Sequence, residues 1–192
     1  ITDVMNPSDA SCAGGNNGSA SVVAGGGIPP YTFLWDDGSV GTQITGLTAG
    51  VYSVTITDNN GCTATCSSVV TEPDLLEVNG IATNVTCNGL SDGSIDVTAT
   101  GGISPYSYLW NDGDTNEDRS NLAAGTFTVT VTDENGAEAF TSIDVNQPNP
   151  INSTCNGSNV TINGGADGSA CAFANGGNAP YTFAWSNSAT SQ

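Results

Sequence analysis

Short stretches of the chain alternate between apolar and polar residues, which is the period of a β-strand with one face in a core and one in water. Residues 51–57 place Tyr, Val and Ile on one face and Ser and Thr on the other. Residues 94–100 and 126–132 follow the same pattern, and nothing in the chain has the spacing of an amphipathic helix. The alternation predicts antiparallel sheets with one solvated side.

The strand-like stretches recur in register every 75 residues, since Trp35, Trp110 and Trp185 each end the same kind of aromatic phrase. A glycine-rich turn ending in proline precedes each phrase, and Asn-Gly pairs follow the strands at 60–61 and 135–136. Asn-Gly favours hairpins, because it accepts positive φ angles. A register kept this long indicates duplicated domains. We predict repeats at 1–74, 75–149 and 150–192, joined by short linkers that proline stiffens.

Six or seven short strands in each repeat, separated by turns, predict a small Ig-like β-sandwich. In the first aromatic phrase Tyr31, Phe33 and Trp35 share one face, so these rings are expected to fill the space between two sheets. The fold class predicted for the chain is therefore all-β, with antiparallel β-sandwiches arranged in series.

The charge of the chain is strongly one-sided, with 19 acidic residues against a single basic one and a formal net charge of −18. Such a surface repels nucleic acid and anionic membranes, and it keeps a β-protein soluble. No stretch reaches the ~20 apolar residues of a membrane span. The sequence has no His and no Lys to serve as a base or as the partner of a nucleophile, so we predict that it is not an enzyme.

An acidic loop at 112–118 is the candidate cation site. Asp112, Asp114, Asn116 and Asp118 place oxygen atoms on alternate residues, a spacing that lets several side chains turn onto one Ca²⁺ ion. The alternative is a plain solvated turn, because Asp, Asn and Gly are ordinary turn formers. The turns at 58–60 and 133–135 are second candidates.

The order of these motifs resembles the SprB repeat, found in giant surface adhesins of gliding bacteria and similar to the PKD-like branch of Ig-like sandwiches. The resemblance rests on Cys-Asn-Gly at 87–89, on the glycine-rich turn and aromatic phrase at 101–110, and on the Thr-Asp-x-Asn-Gly-Cys run at 57–62. It covers nearly all of the chain. It implies export, by the type IX route, to an extracellular position on the bacterial cell surface, and a role in adhesion, gliding motility or fibre building.

Six cysteines with no His and no CxxC pair favour disulfides in an oxidising compartment over a zinc site. The family resemblance implies a bond between Cys12 and Cys62. A cross-strand bond between Cys155 and Cys171 is expected because they lie on successive strands. Fifteen pairings are open in principle. The remaining thiols, free or bonded to another copy, are Cys66 and Cys87.

Five Asn-x-Ser/Thr sequons are candidates for glycosylation. Their asparagines are Asn17, Asn84, Asn152, Asn156 and Asn159.

The third repeat lacks counterparts of residues 122–145 within the 192 residues, because Gln192 aligns with residue 117. We expect either further chain or strands from another copy to cover its aromatic face, and the segment 1–12 is a possible donor. The expected partners are other copies of the chain and a surface polysaccharide. The predicted function is a structural or adhesive segment of a surface protein. The alternatives are a filament subunit assembled by strand exchange and a Ca²⁺-dependent carbohydrate-binding module.

Overall fold

A computed structural model describes residues 1–187 of the chain, in which every regular element is a β-strand. Residues 188–192 lie outside the described part. The strands are β1 (Thr2–Ser8), β2 (Gly18–Gly25), β3 (Thr32–Trp35), β4 (Gln43–Leu47), β5 (Gly50–Thr57), β6 (Thr63–Val70), β7 (Glu77–Thr83), β8 (Gly93–Thr100), β9 (Ser107–Trp110), β10 (Arg119–Leu122), β11 (Gly125–Thr132), β12 (Glu138–Val145), β13 (Asn152–Ser158) and β14 (Ser169–Asn175).

The strands form small sheets that recur with the sequence repeat. The first repeat holds two three-stranded sheets, in the orders β1-β2-β4 and β3-β5-β6. The second repeats them as β7-β8-β10 and β9-β11-β12, and β13 pairs with β14 in the third. Each complete repeat thus has six strands in two sheets, which confirms the predicted all-β, Ig-like class. None of the described residues forms a helix long and apolar enough to span a bilayer.

Two compact units make up the chain. The first comprises Ile1–Val78, Thr98–Tyr108 and Thr130–Phe140, and the second comprises Asn79–Val97, Leu109–Val129 and Thr141–Gln192. Their boundaries pass through the second repeat rather than along the predicted domain limits. The division at 1–74, 75–149 and 150–192 therefore stays a prediction.

The core of the first repeat lies where the alternating pattern places it. Trp35 faces Val54 across β3 and β5, and Phe33 faces Ile56 in the same register. Trp35, Val54 and Ile56 are at most 1% exposed, and Ala20 of the other sheet is fully buried. Because one side of each strand enters this cluster, the side chains between them point to water. In the second repeat the matching buried positions are Trp110, Val129 and Val131.

The hairpin between β5 and β6 forms at the predicted Asn-Gly pair, but with a different turn chemistry. Only Gly61 has a positive φ, of 81°, whereas a two-residue turn of the mirror-image kind would also need one at Asn60. The N–H of Gly61 donates to the carbonyl of Asp58 at 3.0 Å, and the Asp58 carboxylate accepts the N–H of Asn60. Asp58 therefore shares with glycine the work of shaping this turn.

The N-terminal segment is a strand of its own repeat. Residues Thr2–Ser8 pair antiparallel with β2, from Thr2 opposite Gly25 to Ser8 opposite Ser19. Since the hydrogen bonds of the paired edge are used inside the chain, residues 1–12 are not the free donor strand that we expected from the sequence. The predicted strand exchange has no donor in this segment.

A complementary change of size marks one packing site in the two complete repeats. In the second repeat a Cβ placed on Gly80 would lie 2.5 Å from Cδ1 of Ile143. Seventy-five residues earlier the same positions hold Met5, which packs against the core, and Ser68, whose hydroxyl is buried. A large residue on the first strand thus accompanies a small one on the last, and the reverse.

We expect Gly80→Met to destabilise the chain by about 1–3 kcal/mol, because the new side chain collides with Ile143. Adding Ile143→Ser recreates the pair of the first repeat and should recover most of the loss, although Ile143→Ser alone is also destabilising. Urea denaturation of the wild type, both single variants and the double variant measures the coupling. Strictly additive effects would show that the two positions do not share one space.

Candidate functional site

The acidic loop between β9 and β10 surrounds the single basic side chain of the protein. Both terminal nitrogens of Arg119 donate to the carboxylate of Asp112, at 3.1 and 2.7 Å, and its Nε lies 3.3 Å from Asp114. The hydrogen bond from Arg119 is the main reason why the pKa of Asp112 lies below its usual range. The pKa of Asp114 is also lowered, chiefly by the N–H of Asn116. The carboxylates are thus oriented toward a guanidinium.

Arg119 itself lies on the aromatic core. Its guanidinium carbon is 5.1 Å from the centre of the Trp110 ring and 6.0 Å from that of Phe127, and its side chain is 11% exposed. In the first repeat the position 75 residues earlier is the buried Ile44. The second repeat therefore covers its tryptophan with a cation, which needs nearby carboxylates because a desolvated charge is costly without a partner.

The predicted calcium ligands are not gathered around one point. Asp112, Asp114 and Asn116 share the loop, where both the N–H and the side-chain amide of Asn116 donate to Asp114. The carboxylate of Asp118 instead accepts the N–H of Val97 on β8 at 2.9 Å. Within residues 1–187 no group of three or more His, Cys, Asp or Glu side chains is arranged to hold a metal ion. Arg119 occupies the position that the cation hypothesis assigned to Ca²⁺.

Calcium at millimolar concentration is expected to leave the Tm of the wild type unchanged, since the guanidinium already neutralises Asp112 and Asp114. Replacing Arg119 by methionine keeps much of the packing on Trp110 and removes the charge, with an expected loss of about 1–2 kcal/mol. Differential scanning calorimetry with 5 mM CaCl₂ or 5 mM MgCl₂ compares the two proteins, with Arg119→Lys as the charge-preserving control. A rise of the wild-type Tm with Ca²⁺ alone would restore the calcium hypothesis.

A buried carboxylate organises the end of each complete repeat at which β5 or β11 turns into the next strand. Oδ1 of Asp133 accepts the N–H groups of Asn135 and Ala137, at 3.0 and 2.8 Å, and Oδ2 accepts that of Ile103 at 2.9 Å. Asp133 is only 5% exposed, yet these donors, with Ile103 the strongest, hold its pKa below the usual range. The carboxylate therefore ties the hairpin to the turn that precedes the aromatic phrase.

Asp58 does the same in the first repeat. Its carboxylate accepts the N–H groups of Ile28, Asn60 and Cys62 at 3.1, 2.9 and 2.9 Å, and the bond from Ile28 contributes most to its lowered pKa. The turns at 58–60 and 133–135 are thus structural, with their carboxylates directed at backbone N–H groups rather than at a cation.

The Gly-Gly turn that contacts this carboxylate also receives the linker from the preceding repeat. At the first junction, inside the first compact unit, the N–H of Gly102 donates to the carbonyl of Asp74 at 2.8 Å. A Cβ on Gly101 would lie 1.9 Å from the Leu75 carbonyl oxygen, and one on Gly102 would lie 2.8 Å from Asp133 Oδ2. No other residue has room here, which explains the recurrence of the glycine pair.

The second junction, inside the second compact unit, repeats this contact. The N–H of Gly177 donates to the carbonyl of Asn149 at 2.7 Å, and a Cβ on Gly176 would lie 2.0 Å from the carbonyl oxygen of Pro150. The linker therefore crosses the Gly-Gly turn in the same way at both places.

The loop that follows the first strand of each repeat holds the other end of the linker. The N–H of Gly14 donates to the side chain of Glu72 at 2.7 Å, and that of Gly89 to the side chain of Gln147 at 2.9 Å. At the first junction this loop also meets the next repeat, where the amide of Asn135 donates to the carbonyl of Ser11 at 2.7 Å. Loop, linker and Gly-Gly turn together form the junction.

The comparison with known families follows the same 75-residue step. The sequence profile of the SprB repeat matches residues 5–40, 79–115 and 149–190, more than half of the chain. The chain belongs to the SprB repeat family. Each SprB match contains one Gly-Gly turn and one aromatic phrase, so the residues that build the junction lie within the family pattern. SprB repeats occur in surface-exposed proteins, and the chain is accordingly a structural repeat segment of an extracellular surface protein.

Solved structures with a similar fold include two-domain proteins of quite different sequence. The C-terminal 282-residue fragment of intimin, solved with the intimin-binding domain of the translocated intimin receptor, is 14% identical, with a TM-score of 0.40. The match covers 79% of this SprB repeat chain and 66% of the fragment. The amphioxus IgVJ-C2 molecule is 11% identical, with 73% and 95% coverage and a TM-score of 0.32. No curated protein matches the chain.

The first predicted disulfide joins residues at opposite ends of the SprB repeat. Cys62 directly precedes β6, Thr63–Val70, whereas Cys12 lies near its other end, where the N–H of Ala10 donates to the carbonyl of Thr71. Eight residues of strand separate these ends by roughly 25 Å. A disulfide needs Cα atoms within about 7 Å. The structure therefore does not bring Cys12 and Cys62 together.

The second predicted disulfide fails by one residue of register. Cys155 lies opposite Ala172, and Cys171 lies opposite Asn156. Since neighbouring residues of a strand point to opposite faces, the two sulfurs lie on different sides of the sheet. All six cysteines are free thiols in the structure, and Cys155 and Cys171 are both exposed. A bond between this pair would require a shifted strand.

The two remaining cysteines differ in their surroundings. Cys66 packs against the core of the first repeat, and burial, assisted by the nearby Asp3, raises the pKa of its thiol to about 12. A thiol with so little thiolate at neutral pH is a poor partner for exchange. Cys87 is exposed and lies on the loop that meets the third repeat. Bonding of either thiol to another copy stays a prediction.

The sequon asparagines are all exposed, and three of them have structural contacts. The side chain of Asn17 accepts the N–H of Ser11 and donates to its hydroxyl, and that of Asn84 accepts the N–H of Asn146. Asn152 donates to the carbonyl of Pro150. Their glycosylation stays a prediction, as it does for Asn156 and Asn159.

The junction residues were missed from the sequence, although a signal for them was present. Asp58 and Asp133 recur at the 75-residue step, as do the Gly-Gly pairs, and we interpreted both as turn residues. The informative feature is that they recur together, because the carboxylate of one accepts the N–H of the residue that follows the other.

Proposed function

We propose that this chain is a spacer segment of an adhesin on a bacterial cell surface, in which consecutive SprB repeats are held in a fixed arrangement by the junctions between them. The export of the protein by the type IX route and its part in gliding or adhesion are included in this proposal, on the strength of the family. The chain itself is proposed to do no catalysis.

The observation that carries the proposal is the repetition of one set of contacts at two junctions. A flexible linker would need no such set, since Gly- and Ser-rich sequence serves as a loose connection. Here two backbone hydrogen bonds, Gly102 to Asp74 and Gly177 to Asn149, occupy equivalent places. The side chains of Glu72 and Gln147 fix the other side of each linker. Contacts of this kind limit the motion of one repeat against the next.

The strong negative charge fits a protein presented in many copies at a surface. A formal net charge of −18 opposes close approach of parallel chains and keeps exposed strand edges apart. It also directs any adhesive contact away from anionic polymers. The spacer proposal therefore assigns target binding to a different part of the surface protein.

Nuclear relaxation tests the proposal on the whole chain. The amides of Val54 in the first repeat and Val131 in the second should report one rotational correlation time, because the junction makes them move together. Inserting Gly-Ser-Gly-Ser after Pro73 should separate the two values and shorten both. The same insertion after Gly113, in an exposed loop, is the control and should leave them equal.

Two different correlation times in the unmodified chain would refute the fixed spacer. The other candidate functions have their own measurements. A filament subunit would give a concentration-dependent mass in light scattering, and a carbohydrate-binding module would retain glycans on an array in a Ca²⁺-dependent manner. A single constant mass with no retained glycan is the result that the spacer proposal expects.

A further inference from the structure

Two cysteine positions recur at opposite ends of the repeat. Cys12 and Cys87 are separated by 75 residues and occupy the same turn, in which their carbonyls accept the N–H groups of Gly15 and Leu90. The second position is held by Cys62 in the first repeat and by an alanine in the second.

The equivalence of Cys62 and Ala137 is visible in their hydrogen bonds. The N–H of Cys62 donates to Asp58 at 2.9 Å, and that of Ala137 donates to Asp133 at 2.8 Å. Each also returns its carbonyl to the N–H of the same aspartate, at 3.0 Å in both repeats. Ala137 therefore marks where the thiol of Cys62 would lie in the second repeat.

At the first junction these two positions face each other. Cys12 and Ala137 line the same cavity, of about 200 Å³, together with the linker residues Asp74, Leu75 and Leu76. The hydrogen bond from the Asn135 amide to the carbonyl of Ser11 holds the two loops at 2.7 Å, one and two residues away from the positions in question. The whole arrangement lies inside the first compact unit.

We propose that the recurring cysteines form disulfides between consecutive repeats rather than within one. The position of Cys12 and Cys87 would bond to the position of Cys62 in the repeat that follows it, wherever both are cysteine. At the first junction Ala137 removes one partner, so that Cys12 remains a thiol. Cys62 and Cys87 would bond to cysteines of adjoining repeats that lie outside these 192 residues.

The bond forms by thiol–disulfide exchange with a small-molecule or protein disulfide of the extracellular space. The two thiols lose two protons and two electrons, a sulfur–sulfur bond forms between them, and the oxidant is reduced to two thiols. Neighbouring carboxylates, Asp133 and Glu138 among them, line the same cavity. They would slow reduction by anionic thiolates, because like charges repel.

The inference goes beyond the spacer proposal, since the noncovalent contacts alone would fix the junction. A covalent bond would in addition prevent the linker from being pulled off the Gly-Gly turn. If the relaxation experiment succeeds and the bond does not form, only this inference is lost.

The variant Ala137→Cys tests it in the whole chain. After incubation with oxidised glutathione, we expect peptide mass mapping to find Cys12 bonded to the cysteine introduced at position 137, although five other thiols compete. The oxidised variant should melt several degrees above its reduced form. Ala139→Cys, two residues further on β12, is the matched control and should remain a thiol or a mixed disulfide with glutathione.

The variant Ala137→Ser checks that the cavity accepts a side chain of nearly the same size. A serine variant that folds, combined with a cysteine at position 137 that stays reduced or bonds elsewhere, overturns the inference. A serine variant that unfolds also overturns it, because a sulfur would then have no room. Adding Cys12→Ser to Ala137→Cys should abolish both the cross-linked peptide and the rise in Tm.

Discussion

Replacing Gly101 by alanine is expected to destabilise the chain by about 3–4 kcal/mol, although it adds a single methyl group. Gly101 has a φ of +73°, where side chains other than glycine are strained. Its Cβ would also lie 1.9 Å from the carbonyl oxygen and 2.7 Å from the carbonyl carbon of Leu75. Backbone atoms cannot rotate away as the end of a side chain does, so the linker must leave the turn.

Gly113→Ala separates the two causes, because Gly113 has a φ of +88° but no atom within 4 Å of the added Cβ. This control is expected to cost about 1 kcal/mol, from backbone strain alone. Thermal unfolding compares the variants, and amide hydrogen exchange at Gly102 reports on its bond to Asp74. Equal losses in both variants, with the Gly102 amide still protected, would mean that the linker does not lie against the turn.

The sheets and their core could be predicted from the sequence because a strand has a fixed period of two. Val54 and Ile56 had to share a face, and the 75-residue step then transferred the argument to Val129 and Val131. The turn at Asn60 was harder, since an Asn-Gly pair suits more than one turn type. The carboxylate of Asp58 decides among them by accepting N–H groups from the turn itself.

The acidic loop was misinterpreted because its partner does not lie within the alternating pattern. Arg119 follows directly after the predicted ligands, and its charge could have been set against theirs. Sequence spacing, however, does not reveal that its side chain turns back over Trp110. The comparison with Ile44 was the available signal, because a charge at a core position requires a counter-charge nearby.

The cysteine pairs depended on features that spacing leaves open. Whether Cys155 and Cys171 share a face changes with a shift of one residue in register. For Cys12 and Cys62 the family suggested a bond within one domain, whereas the positions lie at the two ends of β6. Only the contact between consecutive repeats, which involves Cys12 and Ala137, shows which cysteine positions are neighbours.

Asp133→Asn should have the second-largest effect, with the Tm of the transition that includes the second repeat lowered by about 10 °C at neutral pH. The amide retains an oxygen for the N–H groups of Asn135 and Ala137, but directs its NH₂ at the N–H of Ile103. Two donors then face each other in a site that is 5% exposed in the wild type. Asp96→Asn, on the exposed face of β8, is the control and should change little.

The pH dependence distinguishes a charged acceptor from a merely polar one. Because the pKa of Asp133 is lowered in the folded protein, its contribution is complete above the unfolded value of about 3.9 and is lost as the pH falls through the lower folded value. The wild type should therefore exceed Asp133→Asn in Tm by a constant amount from pH 7 to about pH 5. The gap should narrow below about pH 4, where the wild-type carboxylate must take up a proton. A gap that stays constant down to pH 2, measured by circular dichroism in matched salt, would contradict stabilisation by the carboxylate charge. The difference between the two proteins is the useful quantity, because acid also removes the repulsion of 19 acidic residues in both of them.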